Sequence, residues 1–457
     1  MSKVRTETDS LGEVQVPADA LWGAQTQRAI NNFAIARPLP NRFIRAVALI
    51  KQCAADVNHE LGLLPADRAD GIARAAARIV AGEFADQFPV DVFQTGSGTS
   101  TNMNVNEVIA TLCARDGIRV SANDDVNLGQ SSNDTIPSAL HLASVLAVSE
   151  QLWPALDAVQ HTLAARATEL EHQVKPGRTH LMDAMPITFG QQLHGWITQL
   201  VYVREQIGQA RDGLLSLPQG GTAVGTGVNC HPQFAEQFCR RLSVMSGHHF
   251  QPLASFFAGQ GAIDRPLALS AALRALAVAL MKISNDLRWM NSGPQHGLAE
   301  IALPAVQPGS SIMPGKVNPV ICESVCMVAA QVMGLDQANA VAAQSGNFEL
   351  NVMLPLVADN LLNMVSLLSH AMTMLADKAL RGFTVNRDRL AAQISRNPVL
   401  VTALNPLIGY ARAADIAKQA YREGRPVIEV AMEHTGMTQA ELEALLDPVR
   451  LTRGGLD

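Results

Sequence analysis

Aromatic side chains are scarce in this sequence: they make up 4% of its 457 residues, with three tyrosines and four tryptophans. Ala, Leu and Val dominate instead, and such a composition suits packed helices better than the aromatic and β-branched surfaces of sheets. Charge is sparse as well. Charged residues account for 17% of the chain, the formal net charge is −6, and no polybasic block occurs, which removes the electrostatic footprint that nucleic acid requires. The six cysteines (Cys53, Cys113, Cys230, Cys239, Cys322 and Cys326) are scattered, the closest pair one helical turn apart rather than in a CxxC arrangement. That spacing argues against a disulfide framework, a zinc site or an iron–sulfur cluster, and no metal or other cofactor is expected. The opening MSKVRTETDS holds neither the apolar core of a signal peptide nor the Arg-rich amphipathic pattern of a transit peptide, so a cytoplasmic location is the expectation. The most apolar stretch, 266–281, contains Arg274 and is followed by Lys282; it reads as a buried helix, and no membrane span is expected.

What the chain does have is length and 48% hydrophobic content, enough for several cores and about three domains. Residues 1–41 read as an irregular arm punctuated by Pro17, Pro38 and Pro40, whereas 42–81 carry apolar residues at helical intervals. Long helical runs then cover 136–172, 187–215, 265–290, 319–344 and 351–380. Runs of this length would measure roughly 40 to 55 Å, too long to pack around one compact core, so their apolar faces are expected to meet other copies of the chain. From about Arg381 the helices shorten, broken by Pro398, Pro406, Gly409 and Pro426. The expected organisation is mainly α: a helical domain over 1–131, a central five-helix bundle over 132–388, and a small helical domain over 389–457.

Four polar islands interrupt this aliphatic background: TGSGTSTNMN (95–104), GQSSND (129–134), GRTHLMDAMP (177–186) and GSSIMPGKVNP (309–319). Glycine lets backbone N–H groups approach a ligand, and Ser, Thr and Asn add short donors that satisfy carboxylate oxygens without competing charge. Ordinary helix N-capping explains any one of them taken alone; four together point to small anions. Lys316 and Asn318 sit between two prolines, which stiffens the backbone where the cation is presented, while Gly309 and Gly315 supply freedom. A phosphate loop is a poor reading, since the GxxxxGK[ST] spacing is absent and Lys316 is followed by Val317 rather than Ser or Thr. Glu323 lies on a mostly apolar helix, where a buried carboxylate needs a partner. An imidazole would serve, and a His180–Glu323 pair would orient the ring for acid–base work, although a plain structural ion pair fits the sequence equally well.

Read in order, these islands resemble the fumarase/aspartase superfamily, whose signature is matched by GSSIMPGKVNP (309–319); the likeness runs from VPADALWGAQTQRA (16–29) through SGNFELNVMLP (345–355) to LVTALNPLIGY (400–410). Within it, Gly315, Ser132 and His180 stand where aspartate ammonia-lyases typically have alanine, threonine and glutamine, so the class II fumarase branch is favoured, with an aspartate ammonia-lyase as the alternative. The resemblance implies reversible, metal-free hydration of fumarate to L-malate, a step of the tricarboxylic acid cycle. It also implies a homotetramer whose long helices form a central bundle and whose sites are each shared by three subunits. By the same resemblance Ser310 abstracts the C3 proton, His180 with Glu323 handles the leaving hydroxyl through a water, and Lys316 and Asn318 stabilise the aci-carboxylate. Ser97, Gly98, Thr99, Asn102, Ser131, Ser132, Asn133, Thr179, Ser311 and Val317 complete the dicarboxylate-binding set. One departure concerns a secondary dicarboxylate site. Relatives carry a His–Pro pair before the Asn-Asp of the second loop, but Ser121 and Ala122 precede Asn123 and Asp124 here, and the chain is short between Ala110 and Arg119, so any secondary site is expected to be weakened.

Overall fold

The computed structural model describes residues 3–455. Residues 3–41 are not irregular throughout. They form a hairpin of β1 (Val4–Asp9) and β2 (Gly12–Pro17) followed by a short helix, Ala24–Asn32. The alternation in GEVQVP is too brief to stand out beside the prolines, and a guanidinium fastens the hairpin: Arg5 donates to the carbonyls of Pro17, Ala20 and Trp22 at 2.9, 2.7 and 2.6 Å. Helix α1 (Asn41–Glu60) follows, and after the polar loops come α2 (Thr99–Arg115) and α3 (Ser132–Ala147). A π-helical turn, Val148–Leu152, carries α3 into α4 (Trp153–Glu169). A second hairpin, β3 (Val174–Thr179) with β4 (Met182–Thr188), precedes α5 (Phe189–Gly213), α6 (Asp264–Met290), α7 (Val320–Ala343) and α8 (Leu354–Leu375). The five long runs read from apolar periodicity are thus present to within a few residues. The tail begins with α9 (Arg387–Ser395) and continues in short helices. The mainly α expectation holds; among the described residues, every sheet is a two-stranded ribbon.

By packing, the chain divides into two compact units: Met1–Pro154 with Val203–Ala277 and Ala330–Ser369, and Ala155–Tyr202 with Val278–Ala329 and His370–Asp457. In the first, α1 presents Phe43, Val47, Ile50, Ala54 and Val57 to the core, all essentially without exposed surface. Its long-helix segments share a polar seam. Ser270 Oγ donates to Asp336 at 2.7 Å, Arg274 pairs with the same carboxylate at 2.8 Å, Asn339 donates to Ser270 at 3.0 Å, and Asn360 donates to Asn339 at 2.9 Å. A closed chain of this kind satisfies each buried group and fixes one register between helices that apolar contact alone would leave free to slide. In the second unit, Leu400, Leu404, Ile416, Val430 and Leu442 form the heart of a separate small core in the C-terminal tail.

Candidate functional site

In the first unit the candidate residues collect at two adjacent helix N-termini. Gly98 caps α2 in the left-handed conformation (φ +73°), and a Cβ there would stand 2.9 Å from Ile136 of α3, so the two helix starts touch. Gly96 approaches another backbone: its Cβ would fall 1.6 Å from the carbonyl oxygen of Val352, and Leu354 N–H donates to the Gly96 carbonyl at 3.0 Å. Ser131 and Asp134 form a reciprocal capping box on α3. Helix starts offer unspent N–H groups and the positive end of the macrodipole, so two side by side suit a carboxylate. Around them lie Ser97 and Thr99, whose hydroxyls are 2.9 Å apart, buried Ser132, and Asn133, which donates to the Ala223 carbonyl at 2.8 Å.

Beneath this cradle is a group that sequence reading missed. Lys51 of α1 has no exposed surface, and its ammonium donates to Asn127 Oδ1 at 2.9 Å and Gln130 Oε1 at 3.0 Å. Asn127 Oδ1 also accepts from Asn102 (3.1 Å) and Asn106 (3.2 Å), so one amide oxygen ties the lysine to a predicted substrate contact. Burial brings the Lys51 pKa down to about 7, opposed by the negative charge of Asp134. Burial also pushes Asp134 up, against N–H groups of Ser131, Thr222 and Gly220 that favour its charged form. The available signal was a lone lysine inside the apolar run RAVALIKQCAADV.

The second unit holds the other candidates. His180 and Leu181 are the two central residues of the β3–β4 turn, with φ of +57° and +60°. Such a two-residue turn normally takes Asn-Gly, and a residue with a bulky side chain pays for the left-handed region. Leu181 is 64% exposed and packs nothing that would compensate. The hairpin survives because its base is anchored. Glu300, fully buried, accepts from Arg178 at 2.6 Å and pairs with Lys175 at 3.2 Å. Proline and glycine within GRTHLMDAMP hid these strands from periodicity.

The loop carrying the signature is clasped at its neck: Gly309 N–H donates to the Lys316 carbonyl at 2.8 Å and Asn318 Nδ2 to the Gly309 carbonyl at 2.7 Å. Ser310 Oγ accepts the N–H groups of Ile312 (3.2 Å) and Met313 (2.9 Å). Two donors aimed at one hydroxyl oxygen favour its deprotonated form. Ser311 is exposed beside it. A cavity of about 700 Å³ gathers Lys316, Val317, Asn318 and Glu323, with Arg288 and Asn291 in its wall. Arg288 is a second cation that sequence reading passed over.

His180, with exposed Thr179 before it, faces a different cavity, of about 850 Å³, which shares only Trp289 with the first. Within one chain no hydrogen bond or ion pair joins His180 to Glu323, so the expected dyad is not an intrachain contact. At the second loop, Ser121 Oγ donates to Asp124 at 2.9 Å and accepts the Asp124 N–H at 3.1 Å, closing the turn on itself. Asn123 borders a cavity of about 390 Å³ whose ionisable lining is Glu7, Asp9 and Glu107.

Two outcomes follow from this geometry. Leu181→Gly relieves a left-handed leucine and should stabilise the folded chain by roughly 1 kcal/mol, read as a raised midpoint in denaturant; an unchanged or lowered midpoint would contradict the strain. Lys51 binds its proton less tightly folded than unfolded. Below pH 7 both states are protonated and the burial cost is fully present; between about pH 7 and 10.5 the folded state sheds the proton while the unfolded one keeps it, so stability rises with pH. Wild-type stability relative to Lys51→Met should therefore climb across that window, by at most about 1.4 kcal/mol per pH unit. A flat difference would show that the ammonium is not held in this way.

Residues 12–334 match the model of a family described as Lyase, and residues 400–453 match one described as Fumarase C C-terminus. Over all of both chains, this sequence is 56% identical to the fumarate hydratase class II 2 of Pseudomonas aeruginosa. It is 54% identical to the class II fumarate hydratase of Xylella fastidiosa, over 99% of this chain and 96% of that one. Among solved structures, a class II fumarase from Schistosoma mansoni superposes with a TM-score of 0.96 at 37% identity, covering 98% of this chain and 99% of that one. A Brucella melitensis protein titled fumarate lyase:delta crystallin reaches 0.94 at 42% identity, covering 98% of this chain and all of that one.

Proposed function

This chain belongs to the class II fumarate hydratase family of lyases, and on that premise we propose a division of labour for its reaction, the reversible hydration of fumarate to L-malate. Ser310 takes the C3 proton of malate, and His180, oriented by Glu323 of another copy, handles the hydroxyl through a bound water. A proton on carbon beside a carboxylate is weakly acidic, and its removal leaves a dianionic aci-carboxylate that must be stabilised by donors fixed in advance. Lys316 and Asn318 take that role, while the paired helix starts, with Ser97, Gly98, Thr99, Asn102 and Ser131 to Asn133, hold the carboxylates together with Thr179, Ser311 and Val317. The observation that carries the reading is the cavity holding Lys316, Asn318 and Glu323 together. The two N–H groups on Ser310 Oγ support its role as the base.

Sites shared among three chains of a tetramer are part of this reading. Its support is that His180 stands exposed on a hairpin tip away from Glu323. In addition, α7 is long and apolar enough to cross a bilayer by composition, yet only 28% of its most apolar window is buried within the chain. Apolar surface on that scale needs a cover, and further copies of the same helix supply it.

Incubation with L-malate should produce the absorbance of the conjugated alkene, unaffected by a chelator, whereas L-aspartate should produce none. Ser310→Ala should lower turnover at least 100-fold; a variant with ordinary turnover removes the base assignment. His180→Asn and Glu323→Gln should each lower kcat by about 10² to 10⁴. Co-expressed in equal amounts, these two variants should recover activity, since in random assembly about a quarter of shared sites combine an intact His180 with an intact Glu323 from another chain. A mixed assembly no more active than its parents excludes the shared dyad.

A further inference from the structure

Beside the hairpin that presents His180 lies a further cavity of about 610 Å³, lined by Arg178, Arg389 and Arg396, which meets the His180 cavity at Arg178 and Leu298. Arg389, Gln393 and Arg396 follow one another at intervals of four and three residues along α9 and its C-terminal cap, so they share one helix face. The acids nearby are already engaged. Glu300 is spent on Lys175 and Arg178, and Asp183, the one carboxylate in the cavity lining, pairs with Arg178 at 3.7 Å. Arg389 gives Nε to the Leu298 carbonyl at 3.1 Å and Nη2 to the Gly297 carbonyl at 2.7 Å, which orients its guanidinium without neutralising it. The Arg396 side chain has no hydrogen-bond or ion-pair partner among the described residues; its backbone N–H donates to the Ile394 carbonyl. The C-terminal end of the α9 dipole offsets about half of one positive charge, and two uncompensated guanidiniums remain beside a third. Gln393, which donates to the Leu298 carbonyl at 3.2 Å, and Asn397 add neutral polar groups to the lining.

We propose that this cavity is a binding site for a small polyanion bearing two or more carboxylate or phosphate groups, and that its occupant fastens the β3–β4 hairpin to α9. Planar guanidinium forks match oxyanions in two-pronged fashion, which makes arginine rather than lysine the residue suited to such groups. The volume exceeds what a single inorganic ion fills and suits a compact molecule with several acidic arms. The connection to the hairpin is direct: Arg178 and Asp183 belong to β3 and β4, and Asn397 Nδ2 donates to the Ala184 carbonyl of β4 at 2.9 Å. An anion bridging Arg178 to Arg389 and Arg396 ties a strand that leads to His180 onto the C-terminal helices. The binding itself does not depend on the role given to His180.

Calorimetric titration of the full chain at low salt, with citrate and separately with pyrophosphate, tests the site and separates carboxylate from phosphate recognition. At least one of the two should bind, with affinity falling as sodium chloride is raised. Arg396→Ala should weaken that binding about tenfold or more, and since the Arg396 side chain is exposed and has no partner among the described residues, folding should be unaffected. Lys316→Ala, which disables the dicarboxylate pocket, should leave the binding intact, and the bound ligand should slow hydrogen exchange of the 182–188 amides. Binding of neither probe overturns the proposal, as does binding that is lost in Lys316→Ala but kept in Arg396→Ala. Unchanged exchange in the saturated protein overturns the fastening of the hairpin.

Discussion

The amide oxygen of Asn127 is the point on which the proposed carboxylate cradle depends, because three donors from two helices converge on it: the Lys51 ammonium and the side chains of Asn102 and Asn106. A substrate with two negative charges could be held by surface cations alone, but exposed ammonium groups are mobile and screened, and pairing of that kind is worth little. A buried lysine solves the problem differently. Its ammonium is held by rigid amides, and in the proposed reading the helix starts supply the donors that face the carboxylates while Lys316 acts from its clasped loop. The cost is a desolvated ammonium, moderated by two amide acceptors and by Asp134 at longer range. Asp134 is at once that counter-charge and the N3 member of the capping box that Ser131 opens on α3, so electrostatics and helix geometry are set in part by the same side chain.

A related exchange of stability for position operates at the β3–β4 hairpin. Histidine and leucine occupy a turn that glycine and asparagine would fill with less strain, and the strain persists because Lys175, Arg178 and Glu300 over-determine the base of the hairpin. Replacing the buried triad with apolar residues could yield an equally stable fold. It could not hold the strand ends in one register while the tip stands clear of its own chain.

The long helices were legible in the sequence because a 3.6-residue apolar period sustained over twenty or more residues has no competing explanation. The four polar islands were legible because they interrupt that period with glycine and short donors. Features whose meaning depends on a distant partner were not. Lys51 reads as one more helix residue until Asn127, 76 positions later, is seen beneath it, and Arg288 gains significance only when the loop bearing Lys316 closes the other side of its cavity. Both hairpins escaped because their strands are short and carry proline or glycine, so alternation never accumulates. The His180–Glu323 pairing shows a further limit: sequence suggested which groups belong together chemically, and it has no means of saying whether they come from one chain.

That last limit bears on why the protein should assemble at all. A single chain places its imidazole on an exposed tip and lines its Lys316–Glu323 cavity with other residues, and it buries only 28% of the most apolar window of α7, so in the proposed reading the chemistry and the apolar surface are incomplete together. If one event completes both, the hydrophobic gain from covering helices many turns long dominates the energetics, while the few polar groups brought together contribute little to affinity and nearly everything to function. Selection for activity then acts on a handful of residues whose positions are guaranteed by a much larger apolar contact. On the proposed shared site, members can be mostly short, uncharged side chains: precision would come from the assembly, and the individual contacts would not have to be strong.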